Sequence, residues 1–144
     1  MHVEGCPLCD AAGGRLVHET AKFRVIHAAE PGFPAFYRVV WRAHVGEWSE
    51  LDAEDRALCM DAVAAVEQCL REALAPTKMN LAALGNMVPH LHWHVIARFD
   101  WDSRFPSPVW AAPTRAPDPG RERAVEAQLP ALEREMARRL AARS

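Results

Sequence analysis

Three of the chain's seven histidines stand within five residues, in His90-Leu91-His92-Trp93-His94-Val95-Ile96. Histidine and apolar residues alternate, and the stretch ends in β-branched residues, the pattern of a half-buried strand. Alternate strand residues share a face. All three imidazoles would therefore project to one side, and Leu91, Trp93 and Val95 to the other, into a core. Neighbouring imidazoles would stand roughly 6.5–7 Å apart at their Cα atoms, near enough for two to act on one bound group. A single histidine in a strand is ordinarily a partly buried core residue. A row of three is harder to assign to packing, because each ring needs hydrogen-bond partners once buried. The alternation with apolar residues in mid-chain also excludes an affinity tag.

The second chemical cluster is Cys6-Pro7-Leu8-Cys9. A C-x-x-C spacing lets two thiolates reach one tetrahedral zinc at about 2.3 Å each, although redox pairs share it. A thioredoxin-type pair opens a helix after a strand, whereas this one lies almost at the terminus, ahead of the turn-rich Asp10-Ala11-Ala12-Gly13-Gly14. Metal is favoured over redox on that ground. Two further ligands must come from elsewhere in the chain, and His44 and one histidine of the row are the candidates.

The elements that would position these groups follow from the punctuation of the chain. Arg15–Glu19 and Lys22–His27 read as short strands joined by a tight turn at Thr20-Ala21, and Ala35–Trp41 as a third, rich in aromatic and β-branched residues. His44 falls just beyond it; His18 and His27 read as surface or strand-edge residues. Asp52 to Ala75 carries a helical apolar stripe, with acidic residues at its start and Pro76 after its end. Cys59 and Cys69, beside and within that stripe, read as structural. Lys78–Leu84 is a further strand, turned by Gly85-Asn86 into the histidine row. Five prolines between Pro106 and Pro119 mark an extended arm. The tail from about Arg121 is helical again, with Val125, Leu129, Leu132, Met136 and Leu140 in step and Pro130 predicted to kink or split it. Such a helix either packs on its own subunit or serves a dimer.

The 144 residues suit one domain with a real core. A formal charge of −2 gives no global reason to expect nucleic-acid or membrane binding. No apolar run approaches the ~18 residues of a membrane span, and the start of the chain lacks a signal-peptide pattern. A cytoplasmic setting with reduced thiols is the expectation.

The row His-φ-His-φ-His-φ-φ (φ apolar), with Leu84-Gly85-Asn86-Met87-Val88-Pro89 before it and Ala97-Arg98-Phe99 after it, resembles the signature of the histidine triad (HIT) superfamily of nucleotide hydrolases and transferases. The resemblance spans roughly residues 5 to 110. It implies an α+β fold: a five-stranded, mostly antiparallel sheet with one long helix packed on it and a C-terminal helical tail. Residues 1–110 would form the HIT domain and 111–144 the proline-rich arm and C-terminal helix. A homodimer is expected by the same analogy. Zinc-containing members and the related galactose-1-phosphate uridylyltransferases pair a terminal C-x-x-C with a histidine after the third strand and the first triad histidine. Carried over, that gives Cys6, Cys9, His44 and His90 around a structural zinc with no open position for water.

Within the triad His90, His92 and His94, the resemblance makes His92 the nucleophile that attacks an α-phosphorus. The resulting intermediate would be a nucleotidyl-histidine, with the other ring nitrogen held by a backbone carbonyl. His94 matches the histidine that contacts the phosphate or leaving group, where the uridylyltransferases carry glutamine. Asn80, Gly85 and Asn86 resemble the phosphate-contacting segment. The implied ligand is a purine nucleotide or nucleotide conjugate, and the implied reaction is hydrolysis of a nucleoside phosphoramidate, nucleotidyl adduct or dinucleoside polyphosphate. The same chemistry also serves a nucleotidyltransferase or phosphorylase, and a zinc-stabilised nucleotide-binding protein without turnover is a third reading. Zinc-knuckle nucleic-acid binding is disfavoured by the acidic balance and the lack of a basic, aromatic-studded groove. The chain departs from the family pattern in three places. Asn86-Met87 replaces the usual Gln-Ser/Thr, and Phe36 stands where many members have a histidine. Ala28 falls near the place of the acidic ribose-binding residue, for which Glu30 is the candidate substitute.

Overall fold

Alternation in the sequence becomes two-sidedness in the sheet. In the computed structural model, which describes residues 2–143, five strands form: β1 (Arg15–Glu19), β2 (Phe23–His27), β3 (Phe36–Trp41), β4 (Lys78–Ala82) and β5 (His92–Arg98). Met1 and Ser144, the outer ends of the two predicted segments, lie outside the described residues. The order is β1-β2-β3-β5-β4, and every pairing is antiparallel. β5 is thus an interior strand, with β3 on one side and the edge strand β4 on the other. Val40 pairs with His92, Arg38 with His94, and Ala82 with His94 from the opposite edge. Directly opposed residues share a face, so Phe36, Arg38, Val40, His92 and His94 line one side of the sheet.

The other side carries the main core. Helix α2 (Ala53–Leu74) begins where the Asp52 carboxylate accepts the Asp55 N–H at 2.8 Å, and ends at Ala75 in a left-handed conformation ahead of Pro76. Its buried face, including Cys59 and Cys69, packs on Phe23, Val25, Tyr37, Val39, Leu91 and Val95. Burial pushes the Cys59 thiol up to about 12 and raises that of Cys69, leaving both as inert packing groups. Helix α3 (Pro119–Arg143) brings Val125, Leu129, Leu132, Met136 and Leu140 into the same core, against α2 and β1. The tail therefore packs on its own chain, where the Tyr37 hydroxyl donates to Glu133 at 2.6 Å. The predicted split at Pro130 does not occur: the helix runs through it, since a proline removes only one donor from the ladder. Among the described residues no helix is long and apolar enough to cross a membrane.

Three local differences from the sequence reading matter for the site. The Cys6–Cys9 stretch forms a one-turn helix, α1 (Pro7–Asp10), with Cys6 at its N-cap. β4 stops at Ala82 instead of Leu84, so residues 83–91 form a loop over the histidine face. β5 starts at His92, leaving His90 just outside it, although the Trp41 N–H still donates to the Leu91 carbonyl at 3.0 Å.

The proline-rich segment is irregular but pinned. Arg98, fully buried, donates through Nε and Nη2 to the Asp102 carboxylate at 2.8 and 3.1 Å, and through Nη2 to the Ser107 carbonyl at 2.8 Å. Arg115 donates to the Asp102 and Phe105 carbonyls at 2.6 and 2.7 Å. The segment is thereby folded onto the histidine face, where Val109 packs with Ala28, Phe33, Phe36 and Ile96.

Candidate active site and metal corner

The N-terminal turn and the start of β5 meet at one corner. His44 follows β3 and His90 precedes β5, and these strands are neighbours, so residues far apart in sequence converge. One donor atom from each of Cys6, Cys9, His44 and His90 lies within 4.8 Å of every other. The Cys6 and Cys9 sulfurs are each 3.5 Å from His90 Nδ1, and Cys9 Sγ is 3.4 Å from His44 Nδ1. Zinc–sulfur bonds of about 2.3 Å and zinc–nitrogen bonds of about 2.0–2.1 Å, arranged tetrahedrally, set sulfur–nitrogen edges of about 3.5 Å. The four residues therefore fit a Cys2His2 structural zinc, with every position filled by protein. Nε2 of His90 lies 2.6 Å from the Trp41 carbonyl, so that nitrogen carries the proton and Nδ1 is bare toward the thiols. Burial holds His90 below its ordinary value, against the pull of that carbonyl, and so in the neutral form that ligation needs. A metal held by these four residues would tie the N-terminal turn to the sheet.

Two residues on, the chain opens into a cleft. The His92 and His94 rings lie 4.9 Å apart at 84° on the face away from α2 and α3. His92 Nδ1 is 2.6 Å from the His90 carbonyl. A carbonyl only accepts, so the proton is on Nδ1 and the lone pair on Nε2. His94 is set the opposite way. Arg38 Nε donates to its Nδ1 at 3.3 Å, which leaves the proton of the neutral ring on Nε2. One imidazole thus offers a bare nitrogen, and its neighbour an N–H. Both are kept neutral. Burial lowers His92 against the His90 carbonyl, with Arg38 assisting; burial, then His92, then Arg38, pushes His94 down to about 4.

The cleft around them has a volume of about 550 Å³. Pro7, Leu8 and Gly13 wall one side, Leu84 to Val88 the second, and Trp110 the third. The indole of Trp110 meets the His94 ring edge-on at 5.5 Å.

A family model for the HIT domain matches residues 12–101. The chain belongs to the HIT domain family. The match begins after Cys9, so two of the four metal-corner residues come from outside the matched span, and the geometry carries the case for them. Among solved structures this HIT domain is similar to a histidine triad protein from Bradyrhizobium japonicum, with 30% identity and a TM-score of 0.69 over 87% of this chain and 92% of that one. A histidine triad protein from Marinobacter aquaeolei matches with 30% identity and a TM-score of 0.68, over 88% and 93% of the two chains. A Zn-bound histidine triad family protein from Mycobacterium smegmatis shares the fold at 19% identity, with a TM-score of 0.59 over 90% of this chain and 88% of that one. No curated protein matches the chain in sequence.

Of the sequence-derived candidates, Gly85, Asn86, His92 and His94 line the cleft, and His90 stands behind them in the metal corner. Asn80 does not line it. Its Oδ1 accepts from Arg98 Nη1 at 2.9 Å, which ties it to the anchor of the proline-rich segment. Phe36 is buried edge-on to His94 at 5.5 Å, where many family members carry a histidine. Ala28 is buried beneath Val109, and Glu30 accepts from Arg38 Nη2 at 3.2 Å. Among the polar and aromatic residues of the cleft, Arg38 and Trp110 were missed. Arg38 had a signal, a cation at the same strand parity as Phe36 and Val40. Trp110 had none, because a loop delivers it.

Proposed function

We propose that this HIT domain is a nucleotide hydrolase acting at an α-phosphorus through a covalent nucleotidyl-His92 intermediate. The observation that carries the reading is the 2.6 Å contact between His92 Nδ1 and the His90 carbonyl, because it leaves Nε2 bare and facing the cleft. In the first step Nε2 forms a bond to phosphorus as the bond to the leaving group breaks; an amine leaving group takes one proton from solvent. The ring keeps its Nδ1 proton, so the intermediate is a phosphorylated imidazolium, a good leaving group for the second step. Water then forms the new phosphorus–oxygen bond, the phosphorus–nitrogen bond breaks, one proton returns to solvent, and the nucleoside monophosphate departs. His94 Nε2–H and the backbone around Gly85-Asn86 would stabilise charge on the non-bridging oxygens.

The reading includes a purine nucleotide or nucleotide conjugate as ligand, a structural zinc, a cytoplasmic setting that keeps the thiols reduced, and a homodimer. Sedimentation giving only a 16.1 kDa species at micromolar concentration would remove the dimer. The central test is intact-mass spectrometry after brief incubation with adenosine and guanosine phosphoramidates. A mass gain of one nucleotidyl group on the wild type, absent from His92→Ala, with monophosphate released on standing, is the expected result. No adduct and no product from either nucleotide would sink the reading in favour of binding without turnover. Added inorganic phosphate that diverts the product to a nucleoside diphosphate would make the protein a phosphorylase instead.

A further inference from the structure

Arg38 is the single charge within β3, among Phe36, Tyr37, Val39, Val40 and Trp41. It is also the single charged residue lining the histidine cleft among the described residues. Its side chain is only 21% exposed, and a guanidinium withdrawn that far from water needs acceptors for its donors. It finds two, His94 Nδ1 for Nε at 3.3 Å and Glu30 Oε1 for Nη2 at 3.2 Å, with its flat face 5.3 Å from the Phe36 ring centre. Its remaining N–H groups, both on Nη1 among them, have no protein acceptor among the described residues. A purely structural ion pair would turn its donors toward the carboxylate. Here Glu30 sits 41% exposed at the margin and takes one N–H, while Nε turns to the His94 ring and the side chain lines the cleft.

We propose that Arg38 works with two hands: Nε holds His94 with its proton on Nε2, and the unused N–H groups bind a non-bridging oxygen of the substrate phosphate. It is a positioning residue toward His94 and a contact residue toward the anion. The kinetic part of this inference rests on the nucleotidyl-transfer reading above; the tautomer and binding parts do not. The chemistry follows from the donors. A planar fork suits tetrahedral phosphate oxygens better than a point charge does, and a cleft with one cation and no lining carboxylate favours an anionic phosphate over a neutral ester.

The test compares wild type, Arg38→Met and Arg38→Lys as the zinc-loaded full chain. Three readouts are taken: the ring ¹⁵N shifts of His94, calorimetric titration with AMP, and single-turnover adduct formation. In the wild type, His94 should be protonated on Nε2. Arg38→Met should lose that preference, weaken AMP by about tenfold or more, and slow adduct formation by roughly 10²–10³-fold. Arg38→Lys should recover part of the AMP affinity through its charge, but neither the tautomer nor the rate, because an ammonium cannot reproduce the fork. An unchanged His94 tautomer in both variants overturns the positioning hand, and unchanged AMP affinity overturns the anion-binding hand. If the wild type forms no adduct with any nucleotide, the hydrolase reading falls, while the shifts and the titration still decide the case of Arg38.

Discussion

The metal corner and the cleft are two residues apart in sequence and use the same side chain to opposite ends. In each, a backbone carbonyl takes one ring N–H: Trp41 for His90 Nε2 and His90 for His92 Nδ1, both at 2.6 Å. In each, burial keeps the ring neutral. What differs is where the free nitrogen looks. That of His90 faces two thiols and a second imidazole, so every position is filled and the site is inert. That of His92 faces open volume, which leaves it free to serve as the nucleophile of the proposed reaction. The two regions are also joined, because the carbonyl that fixes His92 belongs to the residue that the metal corner fixes.

Breaking the cleft should give the largest effect. His92→Ala is expected to abolish the adduct and lower turnover on the order of 10⁴-fold or more, with near-unchanged circular dichroism; substantial residual turnover would mean that another group is the nucleophile. Breaking the corner comes next. Stripping the metal with a chelator, or Cys6→Ala, should cost about 4 kcal/mol or more and lower the unfolding temperature by more than about 10 °C in a calorimetric scan. It should also slow adduct formation, because the His90 carbonyl would no longer be held. Stability loss with an unchanged single-turnover rate would show the two regions to be uncoupled.

Asp102→Ala sharpens the comparison from a third place. It leaves the buried Arg98 unpaired, costing about 3–5 kcal/mol, and should free the Trp110 wall while leaving metal content unchanged. The same group sets a pH limit. Burial alone would raise the Asp102 carboxyl, but the Arg98 bonds and the Arg104 and Phe105 N–H groups outweigh it and hold the group below the usual range. Its contribution is therefore complete above the ordinary carboxylate value and is lost as pH falls through the depressed folded value. An acid limb in wild-type denaturation that is weaker in Asp102→Asn is the expected observation. Trp110→Ala should be smallest, raising KM several-fold and costing about 1 kcal/mol of ligand binding.

Much of this was legible in the sequence because it is local or periodic. The alternation around His92 placed its ring and that of His94 on one face, and the stripe from Val125 to Leu140 predicted which residues of α3 are buried. Gathering Cys6, Cys9, His44 and His90 needed the family resemblance, since spacing alone does not close a ring of ligands across such separations. Asn80 read as a phosphate contact because its neighbourhood in sequence is right; the buried Arg98 that takes its amide oxygen lies on the next strand and is invisible in a linear pattern. Trp110 was out of reach for the same reason. Its position depends on how Asp102, Arg98 and Arg115 fold the proline-rich segment back, and no period records that.

The cleft draws its walls from five separate stretches: the 7–13 segment, Arg38, the 84–88 loop, the histidine strand and Trp110. Loops so distant in sequence close last in assembly, and their closure carries the entropy of all the chain between them. Catalytic competence should therefore be the final property acquired on refolding, trailing the recovery of helix signal. It should equally be the first surrendered on mild denaturation, while α2 and α3 still hold the core together.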